Sequence, residues 1–143
     1  MSTERPHSVS VAGVIVDSQG RALLIQRCDN GRWEPPGGIV ERDETLHEAL
    51  QREVLEETGL LIDLPATLTG VYKNVTELVI SLVFRCEAVG GTSMTGEETR
   101  TLRWATREEV ADLCLDVYTV RVLDALADTS SVPIRAHDGT KFL

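Results

Sequence analysis

The sequence predicts an α/β fold, and three features predict it. Runs of β-branched and apolar residues at 8–27 and 60–89 read as strands. Between them, Thr45 to Gly59 carries the signals of both ends of a helix. A further strand at 101–105 leads into a second capped helix at Thr106. Strands alternating with helices pack as layers. With 143 residues the chain is long enough for one domain with a real core, expected over 1–143.

The elements follow in order. Residues 1–7 are polar and expected to fray. Residues 8–16, SVSVAGVIV, form a buried strand in which Gly13 allows a close approach. Asp17 to Gly20 is a turn, and Arg21 to Arg27 a second strand, so a hairpin is expected. Cys28 to Gly38 reads as a loop, stiffened by Pro35 and Pro36 and opened by Gly37 and Gly38. Thr45 and Glu48 form a capping box, and Gly59 suits the left-handed turn past the helix end. Two strands, 60–73 and 76–89, join near Lys73-Asn74-Val75. After Gly96-Glu97-Glu98-Thr99-Arg100 comes the strand Thr101 to Ala105. Thr106 and Glu109 make the second capping box. Residues 116–127 form a last helix whose apolar face uses Val117, Val120, Leu123 and Leu126. A linker at 128–131 precedes the tail 132–143, where Asp138-Gly139 signals a turn.

Composition narrows the function. Hydrophobic residues at 42% and charged residues at 26% exclude a disordered class. With neither an apolar run long enough to span a bilayer nor a signal segment, a cytoplasmic protein without a membrane partner is expected. Cys28, Cys86 and Cys114 lack metal-site spacing and read as reduced core thiols. A net charge of −9 argues against a nucleic acid polymer as partner, but not against a small anion whose site carries cations.

The stretch Gly38 to Leu60 carries the chemistry. Helical rotation of about 100° per residue puts Glu53, Glu56 and Glu57 on one side, sharing an edge with the Leu46 and Leu50 stripe. Glu44, Glu48 and Gln51 point away. One reading is a solvated charged face. The other is a site for a hard divalent cation such as Mg²⁺ or Mn²⁺, because massed carboxylates at a buried edge need a counter-charge.

Gly38, Glu44, Arg52, Glu53, Val54, Glu56, Glu57, Gly59 and Leu60 fall at the spacing of the Nudix box, and no fixed position departs. The lead-in Trp33-Glu34-Pro35-Pro36-Gly37-Gly38 is similar to the family's usual entrance. The resemblance implies a mixed sheet between helices, an α/β/α sandwich. It also implies hydrolysis of a nucleoside diphosphate linked to a group X, by water attack on phosphorus, with Mg²⁺ as cofactor. Carried over by position, Glu53, Glu56 and Glu57 ligate metal, together with the Gly37 carbonyl and Glu97 or Glu98. Either Glu53 or Glu56 deprotonates the water. Arg52 orients a neighbouring carboxylate, with Glu44 as its partner.

The box says nothing of the base pocket. Trp33 and Tyr72, in or near loops, are the stacking candidates, and Phe84 and Trp104 are core residues. The tail has two readings. It covers a sheet edge, or it folds near the substrate entrance, on this chain or a second copy in a homodimer, and offers Arg135, His137 and Lys141 to phosphates. The rival function is a non-catalytic nucleotide sensor on the same fold. Such proteins usually lose box carboxylates, and all are present in this sequence.

Overall fold

The computed structural model describes residues 5–143. Most of the expected frayed start, residues 1–4, lies outside the described residues.

In chain order the elements are β1 (Ser8–Ile15), β2 (Ala22–Arg27), β3 (Trp33–Glu34), β4 (Gly37–Ile39), α1 (Leu46–Thr58), β5 (Leu60–Ile62) and β6 (Thr67–Asn74). Then come β7 (Val79–Cys86), β8 (Ala88–Gly91), β9 (Thr99–Ala105), α2 (Arg107–Leu113), α3 (Asp116–Leu126) and β10 (Ile134–His137). The largest sheet runs β10-β6-β7-β1-β4, with β3-β2-β9 and β5-β8 as smaller sheets. It is mixed: β1 pairs parallel with β7 and β10 parallel with β6, whereas β4 and the β6–β7 pair are antiparallel.

Alternation along β1 builds the two layers. Val11 and Ile15 face α1 and pack with Leu50, Val54 and Phe84. Val14 faces the other way, onto Val110, Val122 and Ala125 of α2 and α3. The sheet is therefore covered by helices on both faces, as an α/β/α sandwich requires. Gly13 serves the first layer: a Cβ there would stand 3.2 Å from Val54 Cγ2 and 3.3 Å from Leu50 Cδ1. What approaches closely at Gly13 is therefore α1.

The local signals appear in place. Thr45 and Thr106 cap α1 and α2, and both capping boxes close. Gly59 ends α1 at φ 75°.

Several long-range expectations are corrected. β1 and β2 form no hairpin; after one bridge, Val16 to Ala22, they diverge into different sheets. The turn reverses the chain, but β1 is apolar on both faces and takes β7 and β4 as neighbours. The loop at 28–38 contains the short strands β3 and β4. The expected strand at 60–73 is two, β5 and β6, and that at 76–89 is β7 followed by β8. Cys86 and Cys114 are buried and burial pushes both thiols up to about 12, but Cys28 is exposed.

Of the expected face of α3 only Val117 is fully buried; the other buried residues are Thr119, Arg121, Val122 and Ala125 in place of Val120, Leu123 and Leu126. A spacing of three residues falls about 60° short of a full turn, so that stripe drifts off the buried face, and Val120, Leu123 and Leu126 are only half-buried. The observed stripe includes an arginine.

Tyr72 is fully buried in β6 rather than near a loop. Its hydroxyl donates to Asp124 at 2.6 Å, and burial raises the phenol above its ordinary value. The tail covers the β6 edge as β10, with Ile134 opposite Val71 and His137 opposite Asn74. Asp138 turns it back by accepting from the Thr140 and Lys141 amides. Leu143 then donates to Ala136 O at 2.9 Å.

Tyr72→Phe removes a buried hydrogen bond and leaves Asp124 paired with Arg135. A loss of about 1 kcal/mol is expected, read as a lower melting temperature. An unchanged melting curve would show that this bond adds nothing in solution.

Candidate active site

The site forms where α1 crosses β4. Arg52 is its clamp. Its Nε lies 2.6 Å and its Nη2 2.8 Å from the two oxygens of Glu44, a bidentate pair. Its Nη1 reaches Glu53 Oε1 at 2.8 Å, and Nη2 donates to Ile39 O at 3.3 Å. One guanidinium thus ties the loop before α1, the strand β4 and the first carboxylate of the cluster. The bonding to Arg52 lowers Glu44 to about 2.

The two glycines allow the approach. A Cβ on Gly38 would stand 2.6 Å from Glu53 Cδ, and one on Gly37 2.7 Å from Ala12 Cα. Strand alternation sends the neighbours of Gly37 toward β1: Gly13 N–H donates to Pro36 O and Val40 N–H to Val9 O. Gly37 itself faces the helix, and its N–H donates to Glu57 Oε1 at 3.1 Å. Burial, then contact with the Glu53 carboxyl, raises the pKa of Glu57 well above the ordinary carboxylate range.

Glu53, Glu56 and Glu57 share a cleft of about 380 Å³ with Gly96, Glu97, Glu98 and Thr99. The loop carrying Glu97 and Glu98 is anchored by Met94 N–H to Thr58 O at 2.9 Å and Cys28 N–H to Glu98 O at 3.0 Å. Both glutamates are exposed on it. Glu56 is largely exposed and reaches Arg52 only at 3.5 Å.

The substrate-binding expectations do not gather there. Trp33 is half-buried in β3 and packs on the α3-side core, bridging to Cys114. Tyr72 is interior. Arg135 is held by both Asp124 oxygens at 2.9 Å, so its charge is already paired. His137 is buried and Lys141 lies in the tail turn, so the tail does not deliver its cations as expected.

A second cleft, of about 290 Å³, lies beside Gly37 and Gly38 and was missed. It is lined by Glu34, Arg27, Tyr118 and Arg121, with Ser10 and Ser81. The available signal was Arg121, four residues from both Val117 and Ala125 on the true apolar stripe.

Comparison with known proteins gives the family. The family model described as NUDIX domain matches residues 6–126. The chain belongs to the NUDIX family. It is 50% identical over 133 residues to a MutT-like protein of Streptomyces ambofaciens, covering 93% of this chain and 85% of that one. An ADP-ribose pyrophosphatase of Methanocaldococcus jannaschii is 34% identical over 116 residues, covering 76% and 68%. A NUDIX hydrolase of Nitrosomonas europaea superposes with a TM-score of 0.79 at 21% identity, covering 94% and 81%, and shares the fold. The chain is a Nudix hydrolase, and hydrolases of this family use divalent metal ions.

The residues present fit such an ion. The donor set is all oxygen, and Glu57 is desolvated against Glu53, a crowding that a cation relieves. Among the described residues no three carboxylate, imidazole or thiol groups already converge as a ligand set. Arg52 and the Glu53–Glu57 contact hold the cluster instead.

Two outcomes are expected. Gly38→Ala displaces Glu53 and lowers turnover on the order of a hundredfold while the protein stays folded. Full activity in that variant would mean that Glu53 need not approach β4. Glu44, held at about 2 against 4.5 unpaired, stabilises the fold above pH 4.5 and loses that contribution as pH falls toward 2. Circular dichroism against pH should therefore give a shallower acid transition for Glu44→Gln than for wild type. Equal slopes would mean that the pairing with Arg52 is absent in solution.

Proposed function

We propose that the chain hydrolyses the pyrophosphate linkage of a nucleoside diphosphate joined to a group X, with Mg²⁺ as cofactor and Mn²⁺ able to replace it. The observation that carries this is the α1–β4 contact: Glu57 meets the Gly37 amide, Glu53 meets Gly38 and Arg52, and Glu53, Glu56 and Glu57 open on one cleft.

Glu53 and Glu57 would hold the ion, with the Gly37 carbonyl, which faces the same side as the N–H bonded to Glu57. Glu56 and Glu98 or Glu97 complete the cleft. When bound, the ion supplies charge to the phosphate oxygens and makes water more acidic. A water oxygen bonds to one phosphorus, the bridging P–O bond breaks, and the other phosphate leaves with the electron pair. A carboxylate takes the water's proton. Glu56 suits that role because among the described residues its carboxylate is bonded only to Arg52, at 3.5 Å, whereas Glu53 is held by Arg52 at 2.8 Å. Arg52 aims Glu53.

The sensor reading has no feature in its favour, since every carboxylate of the box is present, and Glu53 and Glu57 approach β4. A cytoplasmic enzyme with a small-molecule substrate fits the acidic chain, in which no described helix is long and apolar enough to cross a membrane.

A panel of phosphoanhydrides with Mg²⁺, scored for phosphate and monophosphate release, tests the reaction. Turnover of at least one is expected, and ¹⁸O from water should appear on a phosphate product. Label on carbon, or no turnover of any compound, removes the mechanism. Glu57→Gln should abolish most turnover at limiting Mg²⁺ and leave the fold intact; wild-type rates would move the ion elsewhere.

A further inference from the structure

The cleft beside Gly37 and Gly38 holds a group that the reaction does not use. Arg121 is 7% exposed, and its Nε is buried without a hydrogen-bond partner. Its guanidinium lies 5.1 Å from the ring centres of both Tyr72 and Tyr118. Among the described residues no carboxylate reaches it within ion-pair distance. Its hydrogen-bond neighbour among the described residues is His137 Nε2, 3.1 Å from Nη2. His137 Nδ1 also meets the Gly139 N–H, at 3.0 Å. A neutral imidazole offers a single lone pair, and two donors compete for it. A buried cation with unmet donors is costly unless a ligand supplies acceptors.

Glu34 lines the same cleft with the opposite need. Arg27 Nη1 holds its Oε1 at 3.1 Å, and among the described residues no group bonds its other oxygen. Arginine only donates and an ionised carboxylate only accepts. The matching ligand has an edge with two adjacent acceptors and an edge with two adjacent donors. Guanine has both: O6 and N7 for a guanidinium, N1–H and the 2-amino group for a carboxylate. Adenine sets a donor beside an acceptor and fits neither. A phosphate would satisfy Arg121 but would meet Glu34 as a like charge.

We propose that this cleft binds the base of the substrate and that Arg121 and Glu34 determine specificity for a guanine-type ring. This rests on the nucleotide hydrolysis proposed above and names the base on which it acts. Gly37 and Gly38 line this cleft and also touch Glu57 and Glu53 of the carboxylate cleft, so a base against Arg121 leaves its phosphates on the side of the carboxylates.

Binding of nucleoside monophosphates without metal tests this apart from turnover, since they have no phosphoanhydride to cleave. Calorimetry with GMP, IMP, XMP, AMP and UMP should rank GMP first, with AMP weaker by about tenfold or more. IMP, lacking the 2-amino group, should fall between them. Arg121→Gln and Glu34→Gln should each remove most of the preference. Should Arg121→Gln fail to fold, Glu34→Gln, which keeps the size of the side chain and an oxygen for Arg27, decides alone. Absence of GMP binding at millimolar concentration overturns the proposal, as does AMP binding equal to GMP. Inorganic pyrophosphate binding that depends on Arg121, with no base preference, overturns it in favour of a phosphate site. If GMP is preferred but no phosphoanhydride is turned over, the reaction falls and the base reading stands.

Discussion

The structure depends on one contact between like charges. Glu53 and Glu57, on one side of α1, are pressed against the backbone of Gly38 and Gly37 and against each other. Two carboxylates at a half-buried edge repel, and each pays to leave water. Three things offset this. Arg52 supplies a positive charge shared with Glu44, the Gly37 amide supplies a donor, and the raised pKa of Glu57 lets a proton stand in for a cation. Each box residue therefore has a physical task. The glycines allow the approach, Arg52 and Glu44 aim Glu53, and Gly59 stops α1 where the loop bearing Glu97 and Glu98 can dock through Met94 and Thr58.

What could be read from the sequence divides along the same line. The caps at Thr45 and Thr106, the turn at Gly59 and the grouping of the glutamates are local, set by spacing within a few residues. They appear where the spacing puts them. The missed features are set by partners far along the chain. The β1–β2 hairpin fails because β1 exchanges its neighbour for β7, some seventy residues away, with Ser8 opposite Val79. Tyr72 reads as a loop aromatic only until β10, at the far end of the chain, extends the sheet over its strand. The α3 stripe differs because the helix buries Arg121, Val122 and Ala125 beside Val117, and a buried arginine does not register in an apolar pattern.

The tail shows how geometry can replace charge. Its cations suggest direct contact with phosphate, yet Arg135 is neutralised by Asp124 and His137 is interior. β10 lies beyond the matched family segment, 6–126, but it closes the β6 edge and brings His137 against Arg121. An edge strand left open is a template for mispairing, so covering it has value by itself. The same strand also walls in a guanidinium that would otherwise reach water.

Catalysis and recognition thus pose different physical problems on either side of β4. Holding a divalent ion requires several oxygens within a few ångströms of one point, and a single helix with two glycines opposite can meet that demand. Its spacing is therefore legible in 23 consecutive residues, Gly38 to Leu60. Reading a base requires a donor and an acceptor on opposite walls of a gap wide enough for a ring. No single element can supply both, so Glu34 comes from β3 and Arg121 from α3, with β10 behind. Residues from three elements carry no fixed spacing, and they can vary without disturbing the α1–β4 contact. A family built this way can keep one hydrolytic centre while its members bind different nucleotides.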